Sequence, residues 1–250
     1  MKKFLPSLLL ILQFVFTNTV TAQLPPKEVN RQTQTWLGII SQVKLNPHWS
    51  ILADLHIRRN HFVQDPNFVF TRLALARQIT KQFQVAAGYG HMWLSPTREG
   101  WKTISNEHRF YQQLLFSGKF HRLSIQHRLR NEQRWQQKIA NDVRTGDYRF
   151  TNRIRYQLAL SIPVSSKNDW PQFVLSDELA VHFGKEVIYN HFDQNRVFIG
   201  LKQKLSNHLS ADFGYMRVYQ KKYSGYQYDL NDTFRCFIYV TGGPKAKSQK

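Results

Sequence analysis

The chain is short of cysteine, of acidic residues and of long apolar runs, and each shortage excludes a class of protein. Cys236 is the only cysteine, so no internal disulfide framework holds the chain together. Beyond residue 22 no run of 18 or more apolar residues occurs, which leaves no candidate for a transmembrane helix in that part. No linker rich in proline and serine marks a boundary. The remainder therefore suits one large β domain or two small ones.

Acidic residues are outnumbered, with 16 Asp and Glu against 35 Lys and Arg, and the formal net charge is +19. A charge of this size raises the question of nucleic-acid binding. The chain carries no recognisable nucleic-acid-binding motif, and its N-terminus indicates export, so we expect no nucleic-acid partner.

Residues 1–22 have the order of a secretory signal peptide. Lys2 and Lys3 supply the positive start, residues 8–12 the apolar centre, and Val20-Thr21-Ala22 the small residues before a cleavage site. This predicts a mature protein that begins at Gln23. A retained membrane anchor is not expected, because Pro6 and Gln13 interrupt a stretch shorter than the roughly 20 residues that a spanning helix needs.

Alternation with a period of two is the clearest pattern between Thr33 and Val240. In residues 149–160 the odd positions carry Arg, Thr, Arg, Arg, Gln and Ala, and the even positions carry Phe, Asn, Ile, Tyr, Leu and Leu. Successive side chains of a strand point to opposite faces, so the pattern predicts strands with one apolar and one polar face. Eleven candidates follow, near 33–45, 49–61, 67–78, 82–94, 104–117, 119–135, 146–162, 172–184, 195–206, 208–220 and 230–240.

Many of these strands are long enough to cross a bilayer when tilted, which takes about 9–11 residues. Tight connections are expected at 46–48, 79–81, 117–118 and 206–207, and long ones at 95–103, 136–145, 185–194 and 221–229, with 163–171 as an exception. Short turns at one end and long loops at the other are typical of outer-membrane barrels. Such barrels usually have an even number of strands. An eleventh strand therefore suggests either a missed strand near 23–32 or one candidate outside the barrel.

The period alone leaves open which face is outside. A soluble lipocalin-like barrel turns its apolar face inward, whereas a membrane barrel turns it towards lipid. Trp49, Trp93 and Tyr219 share the apolar parity near strand ends, where a membrane interface favours them. The polar face is rich in Arg and Glu. We therefore predict an all-β, antiparallel transmembrane barrel of the outer membrane with 10–12 strands, spanning 33–240, after an N-terminal extension at 23–32 and before a basic tail at 241–250.

The segment 193–201, Asp-Gln-Asn-Arg-Val-Phe-Ile-Gly-Leu, with Phe-Gly-Tyr-Met at 213–216, resembles the closing region of an uncharacterised bacterial family, domain of unknown function 2490. The stretches 106–110 and 127–134 are similar to that family's internal Glu/Arg strands. The resemblance covers roughly 33–240. It implies an outer-membrane β-barrel of a Gram-negative bacterium and no assigned activity.

By parity, sixteen charged residues are expected to face the barrel interior, and eleven of them are basic. They are Asp54, Arg58, Arg72, Glu107, Arg109, Arg128, Arg130, Glu132, Arg134, Arg149, Arg153, Arg155, Glu178, Arg196, Lys202 and Asp212. Two interpretations remain open. The side chains form an ion-pair network that fills a narrow lumen, or the surplus arginines line a pore that prefers small anions. His182 is expected to pair with Glu178 inside the same lumen.

Three hypotheses about the biochemical role follow. The leading specific one is passage or binding of small anions, and the second is a plugged structural barrel that binds lipid or lipopolysaccharide, with loop cations such as Lys185 and Lys222 meeting phosphates. An outer-membrane hydrolase comes third, because Asp54 with His56 is an isolated pair and no nucleophile motif occurs. The protein is therefore not expected to be an enzyme. The sequence has no HExxH and no cysteine pair, so neither a metal nor a cofactor is expected.

Overall fold

The computed structural model describes residues 25–96, 98–165 and 170–243. None of these residues forms a helix that is long and apolar enough to cross a membrane. The expected signal peptide and residues 244–250 of the basic tail lie outside the described ranges. Eleven strands follow one another: β1 (Glu28–Lys44), β2 (Trp49–Asn60), β3 (Asp65–Gln78), β4 (Phe83–Leu94), β5 (Ser105–Phe120), β6 (Leu123–Ala140), β7 (Val143–Pro163), β8 (Gln172–Phe183), β9 (Phe192–Lys204), β10 (Leu209–Lys221) and β11 (Gln227–Gly242).

The eleven strands close into one barrel in which every strand pairs with its neighbours in sequence, and β1 pairs with β11. The closing pair is parallel and runs from Glu28 opposite Gln227 to Val43 opposite Gly242. Because consecutive antiparallel strands alternate in direction, the first and the eleventh point the same way and meet only in parallel. The predicted all-β barrel is thus confirmed. All eleven candidates belong to it, so both explanations offered for the odd count are wrong.

The first strand begins at Glu28, five residues before the expected start of the barrel. Residues 28–32 lie opposite 227–231 of β11, which also begins earlier than expected. Parallel pairing along the whole seam supplies backbone partners for this stretch. The segment near 23–32 is therefore, from Glu28 onwards, part of β1 and not a separate strand.

Two connections differ from the sequence expectation. Residues 117–118 lie inside β5, and the turn comes later, at His121 and Arg122. The expected loop at 136–145 is instead a two-residue turn, Asn141–Asp142, between long strands. Both turn residues have positive φ, 50° and 58°. Asn and Asp tolerate this conformation, which matches the twist of a tight hairpin.

The connections lie at two rims. The odd-strand rim, formed by connections that follow odd-numbered strands, contains 45–48, 79–82, 121–122, 164–165, 170–171 and 205–208. The even-strand rim contains 61–64, 95–96, 98–104, 141–142, 184–191 and 222–226. Apart from the connection between β7 and β8, which was expected to be an exception, the longest connections, those after β4, β8 and β10, lie together at the even-strand rim as the sequence suggested.

Side chains sort between the two faces of the wall as the alternation predicts, with the apolar ones outside. Leu73 on β3 is 60% exposed and Phe110 on β5 is 52% exposed, while Glu107 and Glu132 are 1% and 2% exposed. This is the reverse of a water-soluble globular protein, in which charged side chains are outside. The buried interior therefore consists mainly of polar groups that must find partners within the barrel.

One sector of the interior is apolar, which the alternation did not indicate. Trp36 of β1, Phe198 of β9, Met216 and Val218 of β10 and Phe237 of β11 form a buried cluster beside the parallel seam. Arginines stack on its edge. The Arg235 guanidinium carbon lies 3.4 Å from the centre of the Phe198 ring, an arrangement that stabilises a desolvated cation.

A polar belt interrupts the apolar outer surface. On β5–β7 the outward side chains of Gln112 and Gln133 hydrogen-bond each other, and Gln133 donates to Asn152 at 3.4 Å. On β8 and β9, Asn195 donates to Asp177 at 2.6 Å. The belt continues on β10 and β11 through the pair of Arg217 and Asp232. Between this belt and the odd-strand rim, nearly every outward side chain is apolar. Examples are Leu114, Leu129, Leu158, Leu175, Ile199, Phe213 and Ile238.

Candidate functional site: a charged network in the barrel lumen

Glu132 on β6 is the centre of the charged interior. Its carboxylate accepts hydrogen bonds at 2.8 Å from Arg153 Nε and from Arg155 Nη1, both on the neighbouring strand β7. Arg130 Nη1 and Arg109 Nη1 lie farther away, at 3.6 Å and 4.0 Å. The antiparallel register places Glu132 directly opposite Arg153, so the pairing is a cross-strand one. The two arginines that flank Glu132 in sequence are thus not its main partners.

Glu107 on β5 holds a second group of arginines. It accepts from Arg109 Nε at 2.6 Å and from Arg134 Nε at 2.7 Å. Because Glu107 is only 1% exposed, these two arginines are its main hydrogen-bond partners. Charge-assisted bonds of this length are the strong class in proteins, and two guanidinium forks on one carboxylate fix the positions of both strands.

Glu178 on β8 collects three arginines from three strands. Arg155 Nη2 donates to it at 2.7 Å, Arg128 Nη2 at 2.8 Å and Arg196 Nη1 at 3.1 Å. Because Arg155 also contacts Glu132, the two carboxylates share one guanidinium and the network is continuous from β5 to β9. The expected pair of His182 with Glu178 is replaced by another one, since His182 Nδ1 lies 3.3 Å from Asp193.

Asp193 and Arg235 belong to the network, although the sequence analysis did not include them. Asp193 accepts from Arg153 Nη1 at 3.0 Å. It was missed because 185–194 reads as a polar loop, whereas β9 begins at Phe192 and a register shift turns Asp193 inward. Arg235 donates to Asp212 at 2.6 Å and lies on the inward parity of β11. That parity, which Asp229 and Asn231 share, is the signal that would have identified it.

The remaining expected residues also face the interior. Arg72 pairs with Asp54 across β2 and β3. Asp212 accepts a further hydrogen bond from the Tyr239 hydroxyl at 2.6 Å, and the Lys202 ammonium lies 4.3 Å from the centre of the Tyr239 ring. Fifteen of the sixteen residues thus lie inside the barrel, and the sixteenth, Arg149, lies at the rim. Within the described chain, no three His, Cys, Asp or Glu residues come together as a group that could hold a metal ion.

Arg149 stands apart, at the even-strand rim. It donates to Glu186 of the 184–191 loop at 2.8 Å, and Lys138 contacts the other oxygen of that carboxylate at 2.7 Å. The hydrogen bonds from Lys138 and Arg149 hold the pKa of Glu186 below its usual value. This cluster fastens the loop to β6 and β7, so Arg149 has a structural role at the rim.

The network consists of six carboxylates and ten arginines, so it has four more positive than negative charges. Its members are Asp54, Glu107, Glu132, Glu178, Asp193 and Asp212, with Arg58, Arg72, Arg109, Arg128, Arg130, Arg134, Arg153, Arg155, Arg196 and Arg235. A cavity of about 2080 Å³ touches residues of both rims and many members of the network. The odd-strand half of this cavity is lined in part by small or neutral side chains, such as Leu115, Ala159 and Ser161. The interior therefore combines closely paired charges with space that water or a small solute can occupy.

Comparison with known proteins gives one match. No curated protein and no solved structure matches the chain. The family model described as protein of unknown function (DUF2490) matches residues 33–229, which is most of the barrel. The chain therefore belongs to the DUF2490 family.

Proposed function

We propose that this protein is an integral outer-membrane barrel whose lumen is closed midway by the charged network. The observation that carries the proposal is the reversed distribution of side chains, with exposed leucines and phenylalanines outside and carboxylates at 1–3% exposure inside. Exposed apolar area of this extent requires lipid, because water-soluble monomers rarely expose large apolar patches. A closed sheet also leaves no unpaired strand edge within the hydrocarbon.

The outer surface also suggests how the barrel sits in the membrane. Between the polar belt and the odd-strand rim the surface is apolar, and on β7 this stretch runs from Ile154 to Ile162, nine residues. That length matches the about 9–11 residues of a tilted transmembrane strand. We place the odd-strand rim at the periplasmic surface and the belt among the headgroups of the outer leaflet, where amide and charged side chains meet lipopolysaccharide. The even-strand rim then projects from the membrane.

Fractionation tests the location. The protein should separate with outer membranes, resist carbonate extraction and change its gel mobility on heating, as closed barrels do. The mature N-terminus should be Gln23. Recovery as a soluble periplasmic monomer would contradict the proposal and support the lipocalin-like alternative.

A second candidate function is the passage of small anions, favoured by the excess of four positive charges beside a cavity that reaches both rims. Planar-bilayer conductance separates the two. A barrel closed by paired charges should conduct weakly or not at all, because the carboxylates and guanidinium groups leave little free cross-section. A steady conductance with anion preference would establish the pore instead.

A further inference from the structure

Arg58 differs from every other arginine of the network. Each of the other nine has a carboxylate within 4.0 Å. Arg58 has none in the described part of the chain, and its buried Nε has no hydrogen-bond acceptor. Its guanidinium carbon lies 3.2 Å from the centre of the Trp36 ring and 4.4 Å from that of Phe68. Aromatic faces therefore hold this cation in the lumen without neutralising it.

A second cation shares the same aromatic ring. The Arg196 guanidinium carbon lies 4.9 Å from the Trp36 centre, and the Nε of Arg196 is also buried without an acceptor. Glu178, the carboxylate that contacts Arg196, is already bound by Arg155 and Arg128. Two guanidinium groups beside one indole repel each other, and this repulsion is weakly screened where water is scarce.

The unsatisfied groups near these cations are mostly donors. Gln194, two residues before Arg196 on the same face, has a buried amide nitrogen without an acceptor. Nearby acceptors are already used, since Asn60 Oδ1 accepts from Gln34 at 3.0 Å and from Asn67 at 3.0 Å. Buried donors without acceptors are rare in native proteins and call for a partner. Arg58, His56, Trp36 and Arg196 all line the cavity, so a solute can reach them.

We propose that the lumen holds a resident small inorganic anion against Arg58, on the side of the cavity shared with Arg196 and His56. The anion supplies the missing negative charge and the missing acceptors. It is part of the closed centre of the barrel and not cargo in transit. The proposal depends on the lumen geometry alone, so failure of the proposed membrane location would leave it standing.

Thermal unfolding of the purified barrel in detergent tests the site, with inorganic phosphate as the probe and a bulky organic sulfonate keeping the ionic strength constant. Wild-type protein should show a saturable rise in its unfolding midpoint, of order 5–10 °C at about 100 times the dissociation constant. Arg58→Gln removes the unpaired charge, and its midpoint should not respond to phosphate. Arg217→Gln removes one positive charge from the outer surface and should respond as wild type does.

The same series is run with chloride to distinguish the anions. A response to either anion that Arg58→Gln abolishes supports the site, and the anion with the larger response identifies its occupant. Should Arg58→Gln fail to fold, Arg58→Met keeps an apolar stem against Trp36 and serves instead. Equilibrium dialysis of radiolabelled phosphate should find about one site per wild-type chain if phosphate is the occupant. No response in wild type to either anion, or equal responses in the Arg58 and Arg217 variants, would overturn the proposal.

Discussion

A single carboxylate, Glu132, joins β6 to two arginines of β7, and its replacement tests whether the network stabilises the barrel. Glu132→Gln leaves Arg153 and Arg155 facing each other with one acceptor fewer. Removing one partner of a buried ion pair costs roughly 3–5 kcal/mol, and less where water reaches it. The unfolding temperature in detergent should therefore fall clearly, with little change in conductance.

Asp232→Asn is the matched control for that measurement. Asp232 pairs with Arg217 on the outer surface, where the two side chains are 43% and 57% exposed. Pairs of this kind are worth about 0–1 kcal/mol, so the control should unfold close to the wild-type temperature. A Glu132→Gln protein as stable as the control, with raised anion selectivity, would support an open pore.

Neighbouring residues of β7 test the two faces of the wall. Leu158 points outwards into the apolar band and Gln157 into the lumen, opposite Glu178 and Arg128. Leu158→Arg should impair membrane insertion by about 2–4 kcal/mol, since a cation near the bilayer midplane must be desolvated. Gln157→Arg keeps its charge in the lumen and should assemble nearly as wild type does. Refolding yield into lipid vesicles measures both, and equal damage would contradict the assigned faces.

The sequence predicted which residues face the lumen but not which of them pair. Parity alone assigns Glu132 and Arg153 to the interior, because each strand alternates strictly there. Pairing depends on the register between strands, which is set by where each turn falls. The turn after β5 is later than expected, at His121 and Arg122, and this moves the register of β5 against β6. The isolation of Arg58 depends on contacts from β1 and β3, which no local pattern records.

The hairpin of β6 and β7 carries a clamp on a neighbouring loop. Asp142, in the tight turn, accepts backbone hydrogen bonds from Thr103 at 2.7 Å and from Lys102 at 3.0 Å. These N–H groups hold the pKa of Asp142 below its usual value. The contact therefore stabilises the loop at 95–104 above about pH 4, the ordinary range of an Asp carboxyl. It is lost as the pH falls through the lower, folded-state pKa.

Limited trypsin digestion tests the clamp, because Arg98 and Lys102 are cleavage sites within the loop. Asp142→Gly removes the carboxylate and suits the positive φ of 58° at this position, so the turn itself is not strained. Cleavage after Arg98 and Lys102 should become faster at neutral pH. Asp142→Asn retains one acceptor oxygen and should be cleaved at an intermediate rate. Unchanged cleavage in Asp142→Gly would show that the loop is held by other contacts.

The single cysteine provides a probe of how deeply the whole barrel sits in lipid. Cys236 faces outwards on β11, between Phe234 and Ile238 and opposite Leu37 and Phe213. In vesicles it should resist a charged maleimide, because the reagent does not enter hydrocarbon. Asp232→Cys in a Cys236→Ser background lies on the same face of the same strand, four residues away in the belt. This second cysteine should react readily, and equal reactivity at both positions would contradict the proposed membrane boundary.

An odd number of strands also determines the sidedness of the chain. In a barrel with an even count both ends of the polypeptide leave through the same mouth, so one side of the membrane receives both. Here β1 starts at the even-strand rim and β11 ends at the odd-strand rim. In the outer-membrane location proposed above, insertion must therefore carry only one chain end across the bilayer. Epitopes fused before β1 and after β11 would consequently be exposed on opposite sides of the same membrane.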